Sequence, residues 1–390
     1  MLDRETALAA ASTVASRLRG RAEATETARR LPDETVNELR DAGLFGITRP
    51  KMFGGSQLGF TSLVEVASTL AQECGSTGWV FGVLSGHSWI LSLFSAAAQQ
   101  EALSDPRALT ATVFRLNGEV TREDDGYRLR AGEGRFCSGV DFASWVIVGT
   151  RVRDRNGLPE AGFFLIPIAD VEIIDDWHTM GMRGTGSRTI RVKDAYIPSH
   201  RFLSMKDISE GRAPGVALHG DAALRVSGLF IQGFSLIGAP LGLASGFVRR
   251  LAREIGAKSG AGSAPGPGPG IDLGAVADRI ARAAVDVDAA YELIMAQCRR
   301  FDTEPDVKGL GERHALRLSR DMAYAANQCR AAVNSLFEAA GGSSIYNESG
   351  PQRAWRDINS AANHFGFTWD IFGPAYGKAL MGLSNNAGAA

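Results

Sequence analysis

Cysteine is scarce: four residues in 390, Cys74, Cys137, Cys298 and Cys329, with no C-x-x-C pair among them. That spacing excludes a thiolate zinc site and a disulfide framework, and it fits a reducing cytoplasm. Histidine is nearly as rare. None of His87, His178, His200, His219, His314 and His364 has a partner at H-x-x-x-H or H-E-x-x-H spacing, so no metal centre is expected. Neither sign of charge is in excess, since 42 Lys plus Arg against 43 Asp plus Glu leave a net charge of −1. No global field exists to attract nucleic acid or an anionic membrane surface. Long apolar runs are missing too. The most apolar window, Trp79 to Ala98, is interrupted by Gly82, Gly86, His87 and several serines and reads as a buried helix rather than a membrane span. The first residues, Met1-Leu-Asp-Arg-Glu-Thr, are acidic where a secretion signal needs positive charge, so export by that route is not expected.

A hydrophobic content of 45% over 390 residues is enough for a large buried core, in one multi-part unit or two to three domains. Three regions follow by pattern. Residues 1–106 carry helical signals: Pro32-Asp33 opens a segment whose Val36, Leu39 and Leu44 share a face, with Gly43 as a left-handed stop. Residues 107–205 hold short runs of β-formers at Thr110, Tyr127, Trp145, Gly162 and Thr189, bounded by Gly, Asp or Pro, as in a small, mostly antiparallel domain. Residues 206–390 return to helical periodicity, clearest in the stripe Val276, Ile280, Val287, Tyr291, Ile294, Cys298. Within this last region Gly256–Gly270 is Gly/Pro/Ser-rich and is expected to be a mobile loop inside a helical bundle.

Several motifs then converge. They are Arg30-Leu-Pro-Asp through Ala42-Gly-Leu-Phe-Gly; Pro50-x-x-Phe-Gly-Gly55; Met180-Gly-Met-Arg-Gly-Thr-Gly-Ser187 followed by Val192-Lys-Asp-Ala-Tyr-Ile-Pro198; and Gly350-Pro-Gln-Arg-Ala-Trp-Arg-Asp357 with His364. Over nearly the whole chain this set resembles the acyl-CoA dehydrogenase superfamily, an α+β, mostly α fold with an N-terminal helical domain, a middle antiparallel β domain and a C-terminal four-helix bundle. In one large branch of those dehydrogenases an Arg-Asp pair is followed about two helical turns later by the glutamate that removes the substrate's α-proton. Here the comparable place holds His364. Imidazole titrates near neutrality and either takes or holds a proton, so the chemistry differs while the scaffold stays. The set is especially similar to the two-component flavin-dependent monooxygenases called group D.

That resemblance implies an oxygenase component that receives reduced flavin (FMNH2 or FADH2) from a separate reductase and reacts it with O2 to a C4a-hydroperoxyflavin. An aromatic, phenolic or polyketide-type molecule is then hydroxylated. It also implies a homotetramer, with flavin sites completed across subunits. Ser138, in Phe136-Cys-Ser-Gly139, falls where dehydrogenases carry a Trp-x-Thr hydroxyl at the flavin, and Ser138 with Gly139 and Trp79 is assigned to the cofactor. A serine in a turn before Gly139 would look the same in sequence. Gly341, Gly342 and Ser343 resemble the segment that approaches the flavin's nucleotide part, although a helix C-cap and loop would also use that glycine pattern. His364 is assigned to deprotonate a phenol or to donate a proton to the leaving oxygen; a histidine satisfied by a backbone carbonyl is the plainer alternative. His87, Phe142 and Thr185 are candidates for the substrate wall, Phe142 standing where many relatives have histidine in a Ser-Gly-x-x-His pattern. Arg356 and Asp357 are expected to pair within the bundle and support the helix that presents His364. N- or S-oxygenation within the same family, and true acyl-CoA dehydrogenation, are the competing activities. The latter needs a carboxylate, and Glu348, ahead of Arg356 rather than after it, is the nearest.

Overall fold

The structure, a computed structural model, describes residues 1–153, 157–220, 224, 232–260, 273–303, 311–347 and 350–383. Five helices open the chain: α1 (Arg4–Ala28), α2 (Asp33–Asp41), α3 (Phe60–Ala71), α4 (Gly75–Leu91) and α5 (Ala96–Leu103). The α2 reading holds, with Val36 and Leu39 buried and Gly43 at φ 72°, but Leu44 lies beyond the stop in a short 3-10 turn. The apolar window from Trp79 is two helices rather than one. Ser95 caps α5 through the Ala98 N–H, and residues 92–95 break the run.

Every residue of α4 is buried. Gly78, Gly82 and Gly86 recur at four-residue spacing and form the ridge against which α3 and the later helix Gln232–Gly260 close. A Cβ on Gly82 would lie 2.2 Å from the backbone oxygen of Ser235. The neighbouring ridge, Trp79, Val83 and His87, has the same spacing, so the glycines that allow close packing on one side orient two polar rings on the next.

Strands fill Thr110–Ser204 as two four-stranded sheets: β1 (Thr110–Val113), β4 (Trp145–Arg153), β5 (Pro159–Pro167) and β8 (Phe202–Ser204) in the order β1-β4-β5-β8, and β2 (Asn117–Glu123), β3 (Gly126–Cys137), β7 (Arg188–Pro198) and β6 (Glu172–Ile174) in the order β2-β3-β7-β6. The described pairs are antiparallel except β1 with β4. β2 and β6 escaped the sequence reading because they are mostly exposed and lack alternating apolar positions.

After the short helices α6 (Met205–Ser209) and α7 (Pro214–His219), α8 (Gln232–Gly260), α9 (Leu273–Thr303), α10 (Gly311–Ala339) and α11 (Gly350–Ala361) pack as a four-helix bundle, and α12 (Trp369–Leu380) lies against α10. In the α9 stripe Val287, Ile294 and Cys298 are buried. Of the expected Gly256–Gly270 loop, residues 256–260 continue α8 and 261–270 lie outside the described residues. Phe234, Ser235, Leu236 and Ile237 are buried within the protomer and so offer no face to a second subunit. Among the described residues no helix is long and apolar enough to cross a membrane.

Candidate active site

Where β3 meets β7 the register shifts between Gly134 and Cys137, and Phe136 takes φ 66°, the left-handed region that a bulky residue rarely enters. The bulge leaves the Phe136 ring 68% exposed, edge-on to Trp177 at 6.1 Å, and turns Ser138 inward. Gly139 follows at φ 70°, and its N–H donates to the Thr185 carbonyl at 3.1 Å. The β3 end is thereby fastened to the 3-10 turn Arg183–Thr185.

Ser138 stands in a buried chain of polar side chains. Trp79 Nε1 donates to Ser138 Oγ at 3.2 Å; Ser138 Oγ is 2.6 Å from Ser187 Oγ; Ser187 Oγ is 2.7 Å from Thr185 Oγ1; and Thr185 Oγ1 donates to the Met182 carbonyl at 2.9 Å. The Thr185 hydroxyl thus stands behind Ser138, with its hydrogen given to the Met182 carbonyl. Trp79 also meets the His364 ring edge-on, with centroids 5.6 Å apart. Trp79, Ser138, Thr185 and His364, far apart in sequence, therefore form one cluster.

His364 is not on the surface of α11, which ends at Ala361. It caps the 3-10 turn Phe365–Phe367, and its Nδ1 accepts the Gly366 N–H at 3.1 Å. A ring nitrogen that accepts carries no proton, so the neutral ring holds its hydrogen on Nε2. Burial pushes the His364 pKa down to about 4, which keeps the ring neutral at physiological pH. His87 is the mirror case. Its Nδ1 faces the Thr110 carbonyl at 3.2 Å and must donate, leaving Nε2 as an acceptor, and burial lowers its pKa to about 4 as well. The ring lies edge-on to Phe114, which is edge-on to Phe163.

Arg356 and Asp357 do not pair with each other. Arg356 donates to the Met180 carbonyl at 2.6 Å and pairs with Glu26, whereas Asp357 Oδ1 accepts the Met182 N–H at 2.6 Å. Both side chains clamp the backbone of the loop that carries Thr185 and Ser187. Burial raises the Asp357 carboxyl to about 6. Behind the clamp lies a polar cavity of about 290 Å³, lined by Arg183, Arg250, Arg353 and Asp357 among others, with neither Ser138 nor His364 in its wall.

Phe142 is half-buried away from this cluster, with the Arg30 guanidinium over its ring at 4.8 Å and its carbonyl accepting from Arg40. Gly341, Gly342 and Ser343 are exposed where the chain leaves α10, and no hydrogen bond or ring contact links them to the cluster among the described residues. The Ser138–Ser187 hydrogen bond and the left-handed turn at Phe136 were not foreseen from the sequence. The available signals were the serine closing Gly-Thr-Gly-Ser187 and an aromatic two residues before Ser138.

Residues 3–108 match the family described as acyl-CoA dehydrogenase, N-terminal domain, and residues 236–369 match acyl-CoA dehydrogenase, C-terminal domain. The chain is 35% identical, over 93% of its length and 92% of the relative's, to the flavin-dependent monooxygenase oxygenase subunit HsaA of Mycobacterium tuberculosis. It is 32% identical, over 95% and 92% of the two chains, to the FADH(2)-dependent resorcinol hydroxylase oxygenase component of a Rhizobium species. Among solved structures, the 3-HSA hydroxylase of Rhodococcus sp. RHA1 superposes with a TM-score of 0.90 at 30% identity, over 98% of each chain. Family models, fold and relatives agree: the chain belongs to the oxygenase components of the flavin-dependent monooxygenases, a branch of the acyl-CoA dehydrogenase superfamily.

Proposed function

We propose that this monooxygenase hydroxylates a phenol-type aromatic molecule, using O2 and a reduced flavin delivered by a separate reductase, with Ser138 bonded to the flavin N5 and His364 to the substrate oxygen. The observation that carries the reading is the neutral His364 ring edge-on to Trp79, which in turn holds Ser138. Relatives named as hydroxylases of resorcinol and of p-hydroxyphenylacetate support the substrate class.

The residues present suit a flavin. Phe136 offers an exposed aromatic face beside Ser138, and Ser138 Oγ keeps hydrogen-bonding capacity beyond its bonds to Trp79 and Ser187. When bound, reduced flavin supplies the electrons that let one atom of O2 enter the ring while the other leaves as water. The protein's own contribution is positional and electrostatic. His364, holding its proton on Nε2, donates to the oxygen of a substrate taken up as phenolate, its proton already given to solvent, and so stabilises the activated form of the ring. That role replaces proton abstraction at Nε2, where the ring has no free lone pair while Nδ1 is engaged by Gly366. The wall Phe114, Phe163 and His87 suits a flat ring bearing a second polar group, for which His87 Nε2 is an acceptor.

A homotetramer completes the reading. Phe365, Trp369, Ile371, Leu380 and Met381 are exposed at and around α12, next to His364, and such an apolar surface suits a second copy of the chain. The test is anaerobic titration of the purified protein with reduced and oxidised flavin, followed by aerobic turnover with a panel of phenols. Tight binding of reduced flavin and formation of a catechol-type product are expected; failure to bind either flavin overturns the reading.

A further inference from the structure

The hydrogens along the Trp79–Met182 chain can be counted, and the count has one solution. A Trp Nε1–H only donates and a carbonyl only accepts, so both ends are fixed. The single Thr185 hydroxyl hydrogen goes to the Met182 carbonyl, so the bond between Thr185 and Ser187 uses the Ser187 hydrogen. The bond between Ser187 and Ser138 must then use the Ser138 hydrogen. Trp79 donates into Ser138 from the other side. Ser138 therefore has no proton left to offer and presents only a lone pair to any third partner.

We propose that Ser187 and Thr185 are positioning residues that fix the polarity of Ser138, so that its hydroxyl accepts from the flavin N5 position and the site selects the reduced cofactor. This rests on the reading of Ser138 as the N5 contact. Reduced flavin carries hydrogen on N5 and matches an acceptor; oxidised flavin has a bare N5 lone pair and is opposed by one. The chain is built to hold its order. Ser138, Thr185 and Ser187 are all buried, so water does not compete for their hydroxyls. The turn behind them is clamped by Asp357 on the Met182 N–H, and two further donors, the Thr185 N–H and Trp177 Nε1, each reach the Met182 carbonyl at 3.1 Å. At Gly186, at φ 53°, a Cβ would lie 2.5 Å from the Asp141 carboxylate, so the turn has little room to rearrange.

The experiment is equilibrium binding of oxidised and reduced flavin to the whole protein, the latter under anaerobic conditions, without turnover. Ser187→Ala frees the Ser138 hydrogen to donate to oxidised N5. The affinity ratio is expected to move about three- to tenfold toward oxidised flavin. A tenfold change equals about 30 mV in the bound two-electron potential, in the negative direction. Thr185→Val, close to isosteric, should act in the same direction, because the Ser187 hydrogen then turns to Ser138 and that of Ser138 turns outward. Thr185→Ser should leave the ratio unchanged. In a Ser138→Ala background Ser187→Ala should have no effect on it, which a merely structural role would not predict. An unchanged ratio in both Ser187→Ala and Thr185→Val, with flavin still bound, overturns the proposal, as does a shift that persists without Ser138. Absence of flavin binding by the unaltered protein would instead sink the cofactor reading on which it rests.

Discussion

Two apolar helices approach the same site and meet opposite fates. In α4 every residue is buried, and its glycine ridge lets α3 and α8 come within backbone contact; in α12 no residue is buried, and Gly377 has no atom within 4 Å of where its Cβ would stand. Composition alone does not separate them. What separates them is what each packs on: α4 is enclosed by the chain's own helices and β domain, whereas α12 has α10 on one side and leaves apolar side chains uncovered. The site draws on both settings, with Trp79 and His87 from the enclosed helix and His364 from the segment just before the bare one.

The sharpest test of that division is at its exposed end. His364→Ala should cut coupled hydroxylation about a hundred- to a thousandfold, the usual cost of one preorganised donor at a developing oxyanion. Flavin oxidation should continue, so hydrogen peroxide replaces product, measured as the ratio of peroxide to hydroxylated ring. Full coupling in the variant would make the histidine structural.

Matched glycine substitutions compare the two helices directly. Gly82→Ala places a methyl against the Ser235 backbone and should destabilise by about 1–3 kcal/mol. Gly377→Ala meets nothing and should stabilise by about 0.5–1 kcal/mol through helix propensity. Thermal or urea unfolding reads both, and equal effects would erase the contrast.

Acid sensitivity probes the enclosed side. His87 is neutral in the folded chain down to about pH 4, whereas the unfolded chain takes up that proton near 6.5. The stability His87 confers above pH 6.5 is therefore lost as pH falls toward 4, by about 3 kcal/mol. Asp357 acts in the opposite direction, because its carboxyl takes a proton near pH 6 when folded and near 3.8 when unfolded. Its ionised form is disfavoured by folding, so stability falls as pH rises through 6. Urea unfolding of His87→Gln between pH 4 and 7 should show a flatter acid limb than the unaltered protein; the same slope in both would assign acid loss to other groups.

The smallest effect on the protomer is expected from Ile371→Asp on α12, within about 0.5 kcal/mol of stability, as for other exposed positions. Light scattering should nonetheless show a smaller assembly. An unchanged mass would mean that another surface joins the copies.

Much of this was legible in the sequence, and the exceptions have physical causes. The layer order, the α2 stop and the α9 stripe follow from local periodicity and turn chemistry, and Ser138 and His364 stand inside short motifs. The Ser138–Ser187 bond was not visible, because it joins residues 49 apart through a bulge and a 3-10 turn, neither of which has an apolar rhythm. The pairing expected between Arg356 and Asp357 fails for a related reason: adjacent helix residues do not face each other, and both find backbone partners some 175 residues earlier, at Met182 and Met180. Nor does sequence reveal a tautomer. That His364 offers a hydrogen and His87 a lone pair depends on which backbone group each Nδ1 meets.

The clamp from α11 has a consequence for how such an enzyme changes over time. On this loop Arg356 and Asp357 grip the Met180 carbonyl and the Met182 amide, atoms that every residue possesses. The Met180 side chain, 53% exposed, takes no part in that grip. New side chains can be tried at this position while the backbone grip, and with it the order of the hydroxyls beneath, stays in place.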